Sequence, residues 1–455
     1  MAIVTINPFT NSQIASYEEH TSEELQIILS NADVIFKKWR TTTFKERVLL
    51  MHNAAEILLK NRNKYANTIS LEMGKPINEA IAEVEKCAWV CNFYADNAEQ
   101  FLATETIETD AQSSKIKYQP LGAILAVMPW NYPFWQVFRF AAPSLMAGNV
   151  GLLKHAGNVL GSAKHIEDIF IEAGFPKGVF QNLFVGHDAV KDILENKFVK
   201  AVSLTGSEKA GASVAAIAGK NIKKSLLELG GSNAFIVLSD ADIKQAVSVG
   251  VKARMQNAGQ SCIAAKRFIL MDDIAEKFIT AFTDEVNKLI SGDPLETTTQ
   301  MGPLARVDLA EQIEKQVNDS IAKGAKLIAG GKRKNAFYSP TVLINVTPGM
   351  PAFDEELFGP VAAITIVKTE EEALAHANNS EFGLGATVFT NSKQKADYFI
   401  DNIEDGAVFI NALVKSDPRL PFGGTKKSGY GRELGKYGIL EFVNIKTVYI
   451  DKGLK

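Results

Sequence analysis

Cysteine is scarce, three residues in 455, and no two are placed as CxxC. That excludes a disulfide framework and fits a reducing cytosol. Six scattered histidines with no HExxH give no zinc-ligand spacing, so no metal is expected. No apolar run approaches the ~20 residues that span a bilayer. The opening MAIVTINPFT lacks the basic and then apolar segments of a secretory leader. A cytoplasmic protein is expected. Charge of one sign is also lacking: 49 Lys and Arg stand against 52 Asp and Glu, net −3. This argues against a nucleic-acid or anionic-membrane partner. There is no internal repeat, low-complexity tract or Pro/Ser linker. The chain is nevertheless too long for one simple core, and two or three domains are expected.

What is present divides by periodicity. Residues 21–100 read as helices, and Cys87 and Cys91, four apart on one helical face, read as packing. From Gly122 short apolar runs (GAILAVMPW, NVGLLKH, VKAVSLTGS, KKSLLELGG) alternate with helical ones. Such alternation predicts a parallel sheet covered on both faces, an α/β nucleotide-binding architecture. A second α/β series starts after Gly231, with AFIVLSD, GAKLIAGG, GPVAAITIV and GAVFIN. Two stretches fit neither series, SSKIKYQP (113–120) and EFVNIKTVYI (441–450). Both alternate as half-buried strands do, and a partner subunit is one way to cover such edges.

Chemistry concentrates in a few segments. Cys262 lies in a glycine-flanked turn, QNAGQSCIAAKR, where a thiolate serves as nucleophile if a base is near. Glu228, in LLELGGSN, is a carboxylate in an apolar run, and burial raises a carboxyl pKa toward the range of a general base. Asn131 of PWNYP offers an amide donor to an oxyanion. Gly206 and Ser207 of LTGSEKAG stand between strand and helix, where free N–H groups and a hydroxyl suit a phosphate. Each has an ordinary alternative: a loop cysteine, a strand-ending glutamate, a turn asparagine, an N-cap serine. DEELFGPV (354–361) and PFGGTKKSGYGRE (421–433) pass as turns on their own.

Together, and in this order, PWNYP, a lysine after a strand, TGS, LELGG, GQSC, EELFGPV and PFGG resemble the aldehyde dehydrogenase superfamily along essentially the whole chain. The resemblance implies a Rossmann-like coenzyme domain (1–102 and 121–229), a catalytic domain (230–430) and a small β oligomerisation arm (103–120 and 431–455). A homodimer or homotetramer would follow. It matches Cys262 to the nucleophile, Glu228 to the general base and Asn131 to the oxyanion donor. Coenzyme contacts fall on Trp130, Lys154, Gly206, Ser207, Glu356 and Phe358.

Gly157 stands where NAD-preferring members carry a glutamate that would repel a 2′-phosphate, so NADP is expected to be accepted and NAD not excluded. Lys154 and His155 remain to attract the phosphate. Arg139, eight residues after Asn131, is placed to meet a carboxylate at the far end of an aldehyde. With GQSCIAAKRF and LELGGSNAFIVL, it makes the chain look like the short bacterial succinate-semialdehyde dehydrogenases. Some of that group carry a second arginine where this chain has Gln256, leaving Arg254, Ser416 and Arg419 as candidates to assist. The expected reaction is oxidation of succinate semialdehyde. Glutarate semialdehyde, a broad aldehyde range, acyl transfer to coenzyme A and a non-catalytic scaffold are the alternatives. Glu228 argues against acyl transfer, since hydrolysis needs a base.

Overall fold

The computed structural model describes residues 2–453. Two parallel sheets, each with its own apolar core, form the body. The first runs 429–430, 224–228, 199–205, 123–128, 150–155, 180–182 across its width. Its central strands are apolar without alternation (AILAVM at Ala123–Met128) because helices cover both faces. The second runs 326–329, 341–344, 361–367, 265–271, 233–237, 386–389, 408–410. Only Lys326–Ala329 in the second sheet and Gly429–Tyr430 in the first run antiparallel to a neighbour.

Ala123–Met128 pairs with Val150–His155 on one side and Val199–Thr205 on the other, so the strand order reverses there. Open α/β sheets bind ligands outside the carboxyl ends of the strands at such a point. PWNYP follows Met128, Lys154 is the penultimate residue of its strand, Gly206 follows Thr205, and Glu228 ends Lys224–Glu228. Only Leu229–Ser232 separates Glu228 from Asn233, the first residue of a central strand of the other sheet. Cys262 leads into the adjacent strand, Ala265–Met271. The carboxyl ends of the first sheet therefore adjoin the amino ends of the second.

The expected N-terminal helices are Ser22–Trp39, Phe44–Lys60, Arg62–Met73 and Ile77–Phe101. The first two start with capping boxes, Thr21 with Glu24 and Thr43 with Glu46. Cys87 and Cys91 are buried in the core, as their spacing indicated. Ser113–Pro120 and Val443–Ile450 pair antiparallel along their whole length, with Glu105–Ile107 beyond. Ile445 and Tyr449 are exposed on that sheet. A hairpin of Ala2–Ile6 with Gln13–Glu18 was not anticipated. Its Ile3 packs beside Gly157, a long-range contact that the short terminal strand could not signal.

A buried ion pair ties the helical layer to PWNYP. Lys75 and Glu83 are both buried and paired. The Lys75 ammonium also lies 3.7 Å from the Tyr132 ring centroid. Glu83 accepts from Phe134 N (2.9 Å) and Trp135 N (3.0 Å), at the start of the helix Trp135–Met146. Glu83→Gln keeps an acceptor for those N–H groups but removes the carboxylate directly paired with Lys75. The expected loss of stability is about 3–5 kcal/mol, read from the denaturant midpoint. Lys75→Met added to Glu83→Gln should recover much of it.

Candidate active site

Two cavities meet at Cys262. A small one, about 180 Å³, is walled by Lys86, Trp135, Arg139, Val414, Ser416 and Phe422 among others. A larger one, about 780 Å³, is walled by the strand ends and by Glu356 and Phe358. Cys262 and Gln136 line both.

The chain reaches Cys262 through a strained turn. Asn257, Ala258 and Gly259 all have positive φ, at 54°, 51° and 73°. A side chain at 259 would collide with the Gly359 carbonyl and with Arg254. Left-handed backbone at two non-glycine residues persists only where the surroundings hold it. Here Asn257 Nδ2 donates to the carbonyls of Asn131 (2.9 Å) and Gln260 (3.1 Å), and Asn257 N donates to Glu79 (2.8 Å). Arg254 donates to Gly259 O at 2.6 Å. Ala305 N donates to Gln260 Oε1 at 2.9 Å. Lys266 Nζ holds the carbonyls of Ser261 (2.9 Å) and Cys262 (2.8 Å). Gly231 lies directly under Cys262, where a Cβ would stand 2.6 Å from the Cys262 carbonyl oxygen.

Asn131 is buried, and its Nδ2 donates to Gln260 O (3.1 Å) while Gln136 Nε2 donates to its Oδ1 (3.0 Å). One Nδ2 hydrogen engages Gln260, and the other is left for a ligand. Glu228 is not on either cavity wall. It lies behind the Phe422–Gly423 turn, where a Cβ on Gly423 would approach its Oε1 to 2.9 Å. Neither carboxyl oxygen has a hydrogen-bond partner. Burial, with repulsion from Glu433, pushes its pKa well above the usual carboxylate range.

Ser207 caps the helix Glu208–Lys220, its hydroxyl accepting from Ala210 N, and Gly206 and Ser207 both line the large cavity. Trp130 and Phe358 meet edge to face across it, ring centroids 5.8 Å apart. Glu356 Oε1 accepts from Gly231 N and Lys266 Nζ, each at 3.0 Å. Lys154 Nζ is 3.2 Å from His187 Nδ1, and burial lowers its pKa to about 8. His155, expected to help attract a phosphate, does not reach the cavity. Its ring nitrogens face the carbonyls of Met128 and Pro133 inside the core, and burial lowers its pKa to about 4. His187 stands beside Lys154 instead. Asn158 Nδ2, next to Gly157 on the cavity wall, is a buried donor with no partner. Strand ends, a capped helix start, Lys154 and this orphan amide are together a fitting cradle for a dinucleotide.

Arg139 lines the small cavity, but its guanidinium is paired with the buried Glu433 and sits over the Phe422 ring at 4.8 Å. Ser416 lines the same cavity. Arg419 does not. Asp417, two residues away, captures it with two hydrogen bonds, and it lies at the surface over Trp89. Arg254 lines neither cavity; one of its nitrogens donates to Gly259 O in the strained turn, and the other two are buried without a partner. Sequence reasoning missed Lys266, which with Arg267 puts two charges at the start of a strand that is otherwise apolar and buried, and that was the available signal. It also missed Lys86, which follows Glu79 and Glu83 at helical spacing along one face.

Compared with known proteins, the aldehyde dehydrogenase family profile matches residues 1–448. The chain belongs to the aldehyde dehydrogenase family. A Synechocystis sp. protein named a probable succinate-semialdehyde dehydrogenase, NADP(+), is 52% identical over 453 residues, covering 99% of this chain and 100% of that one. An Escherichia coli succinate semialdehyde dehydrogenase, NAD(P)+, is 45% identical, covering 99% and 98%. A solved Streptococcus pyogenes succinic semialdehyde dehydrogenase, in complex with NADP+, superposes with a TM-score of 0.97 at 40% identity, covering 99% of this chain and 100% of that one. The fold is thus that of aldehyde dehydrogenases.

In this family member the half-buried Cys262 thiol is pushed up to about 11 by burial, with Lys266 and Arg139 pulling the other way. A higher pKa leaves less thiolate at neutral pH. In coenzyme-free protein, iodoacetamide alkylation of Cys262 should keep accelerating with pH past 9. A plateau near the ~8.5 of a free thiol would contradict this. Cys87 and Cys91 are fully buried, so mass mapping of Cys262 reads the rate cleanly.

Proposed function

We propose that the protein oxidises succinate semialdehyde to succinate with reduction of NADP, NAD being the weaker coenzyme. The reading is carried by Cys262 lying at the junction of two cavities, one shaped for a dinucleotide and one short and cationic. The relatives' names and the family chemistry support it, as does Gly157, which places no carboxylate beside the adenosine end.

In this reading the Cys262 sulfur attacks the aldehyde carbonyl, and the Asn131 amide with the Cys262 N–H stabilises the oxyanion. A bound nicotinamide coenzyme supplies the hydride acceptor, which leaves the acyl group on Cys262 as a thioester. Glu228 then takes a proton from water, which hydrolyses the thioester and frees the thiol. Its carboxyl must rotate from behind the 422–423 turn to do so. Lys154 and Ser207 hold the adenosine ribose and pyrophosphate, Glu356 the nicotinamide ribose, and Trp130, Gly206 and Phe358 complete that wall. Arg139 and Ser416 flank the substrate. The first sheet with the N-terminal helices acts as the coenzyme unit, the second carries the nucleophile, and the three-stranded sheet joins copies of the chain into a homodimer or homotetramer. A small carboxylate-bearing aldehyde in the cytoplasm is the partner this implies.

A kinetic panel of succinate semialdehyde, glutarate semialdehyde and butanal with both coenzymes tests the assignment. The highest kcat/KM should fall on succinate semialdehyde with NADP, and total rejection of NADP would sink it. Glu228→Gln should preserve a first turnover of reduced coenzyme but lower steady-state kcat about 10²–10⁴-fold. The acid limb of the wild-type kcat profile should lie above the ordinary carboxylate range, because the folded pKa is raised and base action needs the ionised form. That limb should vanish in the variant.

A further inference from the structure

We infer that Lys86, flanked by Ser416 and Trp135, receives the distal carboxylate of the substrate in the small cavity beside Cys262. This rests on the semialdehyde reading and names the residue that gives it selectivity.

Charge pairing within the cavity singles out Lys86. Five charged side chains line it: Glu79, Glu83, Lys86, Arg139 and Lys415. Glu83 is matched by Lys75 and accepts two backbone N–H groups. Arg139 is matched by Glu433. Glu79 accepts from Asn257 N, and burial raises its pKa to about 7 despite Lys75 and Lys252 nearby. Lys415 is exposed. Among the described residues Lys86 is in no ion pair, although it is half-buried. Arg139, Cys87, Glu83 and Asp417 are the charged or titratable groups acting on it. Asp417 is itself held by Arg419. A desolvated ammonium without a counter-charge is costly unless something anionic visits it.

Its neighbours suit such a visitor. Lys86 Nζ donates to Ser416 Oγ at 2.8 Å and lies 4.1 Å from the Trp135 ring centroid. Trp135 Nε1 also donates to Ser416 Oγ, at 3.0 Å. Both acceptor positions of the hydroxyl are thereby filled, so its own proton is free to donate. Lys86 has N–H groups to spare beyond the one given to Ser416. An ammonium and a hydroxyl thus offer two donors to one carboxylate, in the cavity that Cys262 lines. The Arg139 guanidinium, already neutralised, adds shape more than net charge.

Lys86→Met should raise KM for succinate semialdehyde about 10- to 100-fold more than KM for butanal, which has the same carbon count and no carboxylate. Lys86→Arg should restore much of the difference. Butanal turnover by the same variant reports that the site has folded. The wild-type protein gives a second readout. Burial lowers the Lys86 pKa to about 8, and only the protonated form attracts a carboxylate. The ratio of kcat/KM for semialdehyde over butanal should therefore fall as pH rises through about 8, whereas in Lys86→Met only the earlier fall from ionisation of Glu79, near 7, should remain. If the wild-type protein prefers the semialdehyde yet Lys86→Met alters both substrates alike, or the wild-type ratio is flat with pH, Lys86 is not the receptor. If the wild-type protein shows no such preference, the semialdehyde reading falls and this inference with it.

Discussion

Everything at this site depends on holding the turn before Cys262 in a conformation that the backbone does not favour. Two non-glycine residues and a glycine in the left-handed region cost of order 1–3 kcal/mol at each non-glycine position. The turn is held by hydrogen bonds from several directions: Asn131 and Glu79 on the helical side, Ala305 from another loop, and Arg254 and Lys266 from its own flanks. These partners belong to both halves of the molecule. The position of the sulfur is therefore fixed by the assembly of the two sheets rather than by either alone.

Burial sets the electrostatics of the same region. It raises the pKa of Cys262, Glu228 and Glu79 and lowers that of Lys86 and Lys154, each toward its neutral form. At neutral pH the two amines stay largely protonated, while burial favours the neutral thiol of Cys262 and the neutral carboxyl of Glu228. Phosphates near Lys154 and a carboxylate near Lys86 would each favour the protonated amine. Such contacts would couple binding to proton uptake only as pH approaches 8, where the amines begin to lose their protons.

Much of this was legible in the residues. Strand and helix alternation marked the first sheet because its strands are buried on both faces and so read as continuous apolar runs. The leftover stretches 113–120 and 441–450 were readable as strands from their alternating, β-branched composition, although the second strand begins only at Val443 and neither shows a regular alternation of burial. Which side chains face the cavity was less legible. His155, at a strand end, is turned into the core while His187, on a distant loop, meets Lys154, and Asp417 rather than a ligand holds Arg419. What Lys86 and Lys266 meet was not legible, because their partners, Ser416 and Glu356, lie 330 and 90 positions away. A linear pattern carries no trace of such meetings.

The crossover at Leu229–Ser232 has a consequence for dissecting the molecule. Gly231 is pressed against the Cys262 carbonyl and hydrogen-bonded to Glu356, so the link between the halves is itself a wall of the reaction chamber. Cutting the chain there, or lengthening it by even one residue, would dismantle the chamber rather than free two working modules. Grafting a foreign first sheet onto the half that carries Cys262 would have to splice elsewhere.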